Sequence, residues 1–397
     1  MDIENFIIAK RNNHLDSRSV FFDLSKKMHH SSLEILAKAH KNCQVIDDYK
    51  EQLKEYFQVK NPALVFRPEF DAKFADFMKK IELKTPLWQQ GKWVYFSWFN
   101  TLVHILTEKE FNVVRTARNK NLINEKEQSI FYKAVVGVAG LSVGNSAALA
   151  IILQGGAKRI KLADHDRFAL SNINRIRTGV ENLGLPKIEM TAREIYTINP
   201  YAKIEIFPEG LNENNIKKFF VGPPKLDIIV DEIDNLGVKY LIREWSRKLK
   251  IAVVMAADNG DNGVVDIERY DQKPNTKFFH GRMGKMRYHD LLNLKKLDIG
   301  KTITQYVGPE NVTPRMQESM LQIGKKIVSW PQLGGAALMN GSAIAYCVRK
   351  ILNKQPLVDG RVILSFDEKF IPGFNSRAQK NKRRIKTGNF KKSFGLK

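Results

Sequence analysis

Three observations predict an α/β fold with a Rossmann-like doubly wound, mostly parallel sheet and helices on both faces. From Arg115 onward, strand-like and helix-like segments alternate. The strand-like segments are near-continuous Val/Ile runs, such as 227–231 and 251–255, as strands buried on both faces require. The apolar run Ala134–Val138 breaks into a turn of small residues, Ala139-Gly140-Leu141-Ser142-Val143-Gly144, and then a small-residue helix. A buried strand feeding such a turn leaves backbone N–H groups pointing at an anion. A mainly helical N-terminal domain is expected ahead of this core.

In chain order, Leu33, Leu36, His40 and Cys43 share one helical stripe, while Ile46, Tyr49, Leu53, Tyr56 and Phe57 share a second that Asn61-Pro62 stops. Cys43 therefore reads as a core residue rather than a nucleophile. Phe74, Phe77, Met78 and Ile81 make a third stripe before Pro86. The cluster Trp88, Trp93, Tyr95, Phe96, Trp98 and Phe99 reads as packing more than as a substrate wall. The core then runs through strand 159–163, a polar loop, helix 188–197, strands 203–207 and 227–231, helix 236–249 and strand 251–255. Beyond Tyr270 the composition is irregular and basic until a small-residue helix over 334–352, where Cys347 has apolar neighbours. The expected divisions are 1–106, 107–270, 271–375 and a basic, disordered tail over 376–397.

A chain of 397 residues has room for two or three domains. The net charge of +23 favours polyanionic partners. However, 9 of those 23 units follow Ser376 in a stretch without acidic residues, and such runs are commonly solvated. There is no apolar run of about 18 residues, and Met1-Asp2-Ile3-Glu4 lacks the start of a signal peptide. A cytoplasmic protein without membrane contact is expected. Two cysteines so far apart supply neither a disulfide framework nor a C-x-x-C zinc pair.

Asp164 closes a strand about 20 residues past the turn, where nucleotide folds place a carboxylate that accepts ribose hydroxyls. A plain strand-end cap is the alternative. Asp166, Asn172, Arg175 and Lys187 follow. Two cations beyond a ribose carboxylate suit a triphosphate, because a nicotinamide pyrophosphate is largely satisfied by backbone and helix dipole. Strand 227–231 runs into Glu232-Ile233-Asp234-Asn235 at the edge where open α/β sheets take ligands, and Asp234 is the candidate to hold Mg²⁺ against phosphate oxygens. His280 and His289 lie in a basic stretch that reads as a solvated face, and Asp258-Asn259-Gly260-Asp261-Asn262-Gly263 reads first as a turn.

With Arg115-Thr116-Ala117-Arg118-Asn119 and Glu125-Lys126-Glu127-Gln128 ahead of them and Ile198-Asn199-Pro200 among them, these motifs resemble the ThiF/MoeB/HesA superfamily. These are adenylating enzymes related to the adenylation domain of ubiquitin-activating enzymes. The resemblance spans about Arg115 to Tyr270, with weaker agreement to about Phe370. It implies an ATP-dependent adenylyltransferase in which a substrate carboxylate attacks the α-phosphate, giving an acyl adenylate and pyrophosphate. Gly137, Ala139, Gly140, Leu141 and Ser142 would floor the ATP site. Asp164 would bind the ribose with Asp166 beside it, Asn172, Arg175 and Lys187 would hold phosphates, and Asp234 would position Mg²⁺. Arg118 would reach the triphosphate of the other subunit of a homodimer. No catalytic base is needed, since a carboxylate is ionised at neutral pH.

Departures sharpen the expectation. Ala139 and Ser142 stand where the family has glycines, so a methyl would narrow the phosphate approach while a hydroxyl offers a donor. No cysteine occurs between Cys43 and Cys347, which argues against a thioester step. The turn wording, Phe278-Phe279-His280-Gly281 and Trp330-Pro331-Gln332-Leu333 are similar to a bacterial branch found beside nitroreductase-like domains, implying a nitroreductase-like partner. The carboxylate could belong to a small molecule, a peptide or a carrier-protein C-terminus, with tRNA ranked below them. An NAD(P)-dependent oxidoreductase and a non-catalytic nucleotide-binding scaffold stay open as alternatives.

Overall fold

The computed structural model describes Ile3, residues 17–292 and residues 294–396. The expected helical character of residues 1, 2 and 4–16, and Lys397 of the tail, lie outside the described residues. The chain divides into two compact units: residues 1–129 with 192–202, and residues 130–191 with 203–397.

The first unit is helix-rich, with helices Lys27–Ala39, Tyr49–Lys60 and Phe70–Glu82. It also holds a sheet that helical periodicity does not reveal. Strands β1 (Val20–Phe22), β2 (Gln44–Asp47), β3 (Lys92–Phe96) and β4 (Thr101–Ile105) lie in the order β1-β3-β4-β2. The β1–β3 and β3–β4 pairs are antiparallel, and the β2–β4 pair is parallel. Ile46 accordingly sits on exposed β2 rather than on a helix. Trp93, Tyr95 and Leu102 form the sheet's core with Leu33, Leu36 and Cys43 packed against them; the helix ends at Ala39, so Cys43 reaches this core from the loop before β2 and not from the expected helical stripe.

His104 is fully buried on β4, sandwiched between the rings of Tyr49 (4.1 Å) and Trp93 (4.3 Å). Its Nδ1 lies 2.9 Å from Asp47 Oδ1 and its Nε2 lies 2.8 Å from the Gln90 carbonyl. The ring thus ties β2, β4 and the turn before β3 together. His104→Phe keeps the stack and strips both hydrogen bonds, so it is expected to cost about 2–3 kcal/mol, from the lost bonds and the Gln90 carbonyl left without its ring partner. Urea denaturation measures this, and a loss under about 0.5 kcal/mol would remove His104 from that role.

In the second unit, β5 (Val135–Ala139), β6 (Arg159–Ala163), β7 (Lys203–Phe207), β8 (Ile228–Asp231), β9 (Ala252–Asn259), β10 (Asn262–Glu268) and β11 (Gly360–Leu364) form one sheet. Its order is β11-β10-β9-β8-β5-β6-β7. The pairs among β5 to β9 are all parallel, and β10 and β11 add an antiparallel flank. The mostly parallel, doubly wound sheet expected from the alternation is therefore present. Order reverses at β5, since β6 lies on one side and β8 on the other. That reversal opens a crevice at the strands' C-terminal ends.

Adjacent residues of β5 face opposite layers. A Cβ on Gly137 would meet Phe219 and Leu226, whereas Val138 touches Gly144 of the helix Val143–Leu153. Helices Ile216–Val221 and Leu236–Leu249 supply the core on the Gly137 side. Helix Gly334–Leu352 packs on helix Val143–Leu153. A Cβ at Gly341 would stand 2.7 Å from Ser146, so the small-residue composition is what lets these two backbones approach.

The expected disordered tail is corrected by the structure: Arg377–Phe394 is a helix. Ser376 caps it by accepting from the Gln379 N–H, Gly395 ends it in the left-handed region (φ +70°), and Phe390 is buried. Charge predicts solvation, but two aromatics four residues apart anchor one face. Among the described residues, no helix is long and apolar enough to cross a membrane.

Candidate functional site

The site grows from the end of β5. Gly140 has φ +85°, and a Cβ there would collide with the Glu232 carbonyl just beyond β8. Only glycine lets the turn lie this close to the neighbouring strand. Ser142 then precedes helix Val143–Leu153.

Asp164, at the end of β6, is 8% exposed and organises the turn from below. Its Oδ2 accepts the Leu141 N–H at 2.6 Å and its Oδ1 accepts the Asp166 N–H at 2.7 Å. Burial raises this carboxyl above its ordinary range, against the two backbone donors and Lys187. Each oxygen keeps a second lone pair for a further donor. Lys187 begins helix Lys187–Ile198 and is almost buried. Its ammonium lies 2.7 Å from Asp166 Oδ2, while its N–H donates to the Asp166 carbonyl at 2.9 Å. Burial alone would raise the Asp166 carboxyl, but Lys187 outweighs it and holds the group below the usual range.

Arg175 reaches back to the turn. Its Nε donates to Ser142 Oγ at 3.0 Å, and its Nη1 donates to the Ser171 carbonyl and Asn174 Oδ1, each at 3.0 Å. Burial lowers its affinity for the proton, while the charges of Asp258 and Asp234 raise it. Asn172 Oδ1 accepts the Ala169 N–H at 3.0 Å, which fixes the amide's orientation. Asp234 is exposed two residues before helix Leu236–Leu249, whose cap is the Asn235 side chain accepting from the Val238 N–H at 3.0 Å.

The structure thus gathers Gly140, Leu141, Ser142, Asp164, Asp166, Asn172, Arg175, Lys187 and Asp234 at the switch-point crevice. Two expected floor residues do not join them. Gly137 packs against Phe219 and Leu226, and Ala139 is fully buried in the same core layer as Ala163 and Phe207. The Ala139 methyl therefore narrows nothing: alternation along β5 turns it away from the turn. Ser142 is the departure that matters, because its hydroxyl accepts from Arg175 and keeps its own proton to donate. Arg118 lies exposed on a short turn, Ala117–Asn119, in the first unit.

Sequence reasoning underrated one group. Asp258, the last residue but one of β9, is 7% exposed and accepts from Asn340 Nδ2 at 2.7 Å and Gln332 Nε2 at 3.3 Å. Burial raises its carboxyl. The Gln332 carbonyl in turn accepts from Asn174 Nδ2 at 2.8 Å, so the Trp330–Leu333 segment sits against the Arg175 loop. The rest of the Asp-Asn-Gly stretch is the expected turn: Asn259 pairs with Asn262 across a two-residue loop. His280 is no solvated face, since its Nε2 meets the Ile267 carbonyl at 3.0 Å. Cys347 is 5% exposed and burial pushes its thiol up to about 11, so it is core rather than nucleophile.

Asp231 and Glu232 are not part of a metal cluster. Asp231 is fully buried against Lys239 and Arg243, and Glu232 Oε1 accepts the Ala256 N–H at 2.7 Å, bridging β8 to β9. For nucleotide and Mg²⁺ the donor set fits. Two cations and a fixed amide surround a glycine turn at a helix N-terminus, and one exposed carboxylate stands opposite.

Comparison with known proteins gives a family match and several partial relatives. Residues 116–308 match the ThiF family. The uncharacterized protein MT1398 of Mycobacterium tuberculosis is 32% identical over 304 residues, which is 76% of this chain and 42% of that protein. The sulfur carrier protein adenylyltransferase of Thermus thermophilus is 26% identical over 38% of this chain and 51% of its own length. The tRNA threonylcarbamoyladenosine dehydratase of Escherichia coli is 29% identical over 36% of this chain and 53% of its own. The chain thus spans about half or less of the length of these relatives.

Proposed function

From the ThiF family domain over residues 116–308 we propose that this chain is an ATP-dependent adenylyltransferase that converts a substrate carboxylate to an acyl adenylate and releases pyrophosphate. The observation that carries the reading is Arg175 and Lys187 held at a glycine turn beside the buried Asp164. An oxidoreductase would not need both cations.

In this reading Asp164 accepts the ribose hydroxyls, and Asn172, Arg175 and Lys187 neutralise the phosphates. Asp234 holds Mg²⁺, which supplies charge compensation at the phosphate oxygens. The protein contributes positioning and electrostatics rather than a covalent intermediate or a general base. The carboxylate belongs to a small molecule, a peptide or a carrier-protein C-terminus, and a cytoplasmic homodimer with a nitroreductase-like partner completes the proposal. ATP–pyrophosphate exchange with candidate carboxylates tests the activity. Failure to bind ATP at millimolar concentration with Mg²⁺ would overturn it, and tighter binding of NADH than ATP would favour hydride transfer.

Arg118 is proposed to act across the dimer. Arg118→Ala and Asp234→Ala are each expected to lose at least about tenfold in exchange activity, the scale of one lost transition-state contact. Mixing the two is expected to restore part of the activity, because each mixed dimer assembles one intact site. No restoration in verified mixed dimers would return Arg118 to its own subunit.

A further inference from the structure

The C-terminal helix is the most concentrated charge in the chain. Arg377–Phe394 carries Arg377, Lys380, Lys382, Arg383, Arg384, Lys386, Lys391 and Lys392 with no acidic residue. Three of these are engaged, Arg384 within its own helix, where its Nη2 donates to Asn381 Oδ1 at 3.0 Å. Arg383 lies 3.8 Å over the Phe374 ring and donates to its carbonyl at 2.7 Å, and Lys386 pairs with Glu318 at 3.0 Å. Arg377, Lys380, Asn381 and Arg384 line one side of an open groove of about 720 Å³. Lys380 and Arg384 are shared with an adjoining groove of about 440 Å³ that Thr387, Lys391 and Glu310 help to line.

Folding does not explain this face. The helix is held along an adjoining face, where Phe390 is 3% exposed and stacks on Phe394 at 5.1 Å, and where Thr387, at the margin of the second groove, accepts from Gln317 Nε2 at 3.0 Å. Like charges at helical neighbour positions, such as Lys380 with Arg384 and Arg377 with Lys380, destabilise a helix. Basic residues in a first turn also oppose its dipole, and here that turn has no acidic residue. The stripe carries a helix-stability cost that a bound polyanion would offset.

We propose that this face docks a nucleic-acid duplex through its phosphate backbone. Arg377, Lys380, Arg384 and Lys391 follow one side of the helix for about 21 Å at 1.5 Å per residue, the first three about one helical turn apart and the last about two turns further on. The two arginines supply forks suited to phosphate oxygens. Single strands are normally held by stacking on aromatics. This stripe has none, because Phe390 faces inward and Phe374 is covered by Arg383. Within the helix the exposed apolar side chain is Ile385, an aliphatic, short of the aromatic centre on which protein interfaces are built. The net charge of +23 adds a long-range field of the same sign. The inference is independent of the adenylation reading.

The test is fluorescence anisotropy of the full chain with a labelled 20-base-pair RNA duplex, the DNA duplex of the same sequence and one single strand, each titrated across salt. The expected result is duplex binding that weakens steeply with salt. The triple variant Lys380→Gln, Arg384→Gln, Lys391→Gln is expected to lose at least about tenfold in affinity, with the log–log salt slope falling by about 0.9 per contact removed. These side chains make no core contacts, so the melting curve serves as a folding control. Lys38→Gln with Lys41→Gln, two exposed lysines of the first unit, is expected to change neither. RNA and DNA binding alike would assign the site to phosphate geometry, whereas preference for one would assign it to that duplex form. Four results would each overturn the proposal: no duplex binding at 50 mM salt, an equal loss in the control variant, tighter binding of the single strand, or competition by polyglutamate as effective as by duplex.

Discussion

Arg175→Ala is expected to lower ATP–pyrophosphate exchange by about 10²–10³-fold, equivalent to about 2.7–4 kcal/mol of lost transition-state stabilisation. The guanidinium already sits at the glycine turn, bonded to Ser142 Oγ and to two oxygens of its own loop. It therefore needs little reorganisation to meet charge developing on a phosphate. Its bonds inside the protein are few and half-exposed, so the unfolding midpoint should change little. Arg175→Lys is expected to recover only part of the loss, because an ammonium lacks the fork that can bond Ser142 and a phosphate oxygen together. The effect should fall on kcat more than on KM for ATP, since ground-state phosphate binding is shared with Lys187 and Asn172. A loss of under about fivefold, or one wholly in KM, would take Arg175 out of the reacting centre.

Where the sequence signal is local, it locates structure closely. Strands 159–163 and 203–207 and the helices 236–249 and 334–352 appear at the expected residues, because each is a contiguous run whose own periodicity and flanking turns define it. The site is legible for the same reason: Asp164 to Lys187 is one segment wrapped under one turn. The pairings missed depend on distance. β11 joins β10 only after about ninety residues of intervening chain, and β10 itself hides behind the Asn-Gly turns that open it. In the first unit, apolar Ile46 continues the spacing of the helix after it, so β2 is absorbed into a helical stripe that Asp47-Asp48 in fact interrupts. Asp258, Gln332 and Asn340 come from three separate elements, and no motif could join them. The tail was misread because its charge outweighed Phe390 and Phe394, the one visible sign of an anchored face.

Beneath the site, Arg243→Met is expected to have the largest effect on stability, about 3–5 kcal/mol, because it strands charge in the core. Arg243 is fully buried on helix Leu236–Leu249 and joins Asp231, at the end of β8, to Glu268, at the end of β10. Its guanidinium also lies 4.1 Å over the Phe279 ring. Glu268 Oε1 accepts from Tyr270 OH and the Phe279 N–H, both at 2.7 Å, so one cation holds two strand ends and the segment that covers them. Burial alone would raise the Asp231 carboxyl, but Lys239 and Arg243 outweigh it and hold it below the usual range. A carboxylate lowered in this way contributes stability that is fully present above its unfolded value near about 3.9, and loses it as pH falls through the folded value. Between pH 7 and pH 5 this pair should therefore leave the wild-type protein's stability flat. In Arg243→Met the sign reverses, because two buried carboxylates, Asp231 and Glu268, are left with Lys239 at Asp231 as the neighbouring cation, and taking up a proton relieves the excess negative charge. The variant is thus expected to gain stability as the pH is lowered from 7 to 5, while remaining below wild type throughout. Urea denaturation at the two pH values reads both quantities. A variant that loses under about 1 kcal/mol at pH 7, or whose stability fails to rise between pH 7 and pH 5, would show that Lys239 and the surrounding hydrogen bonds suffice without Arg243.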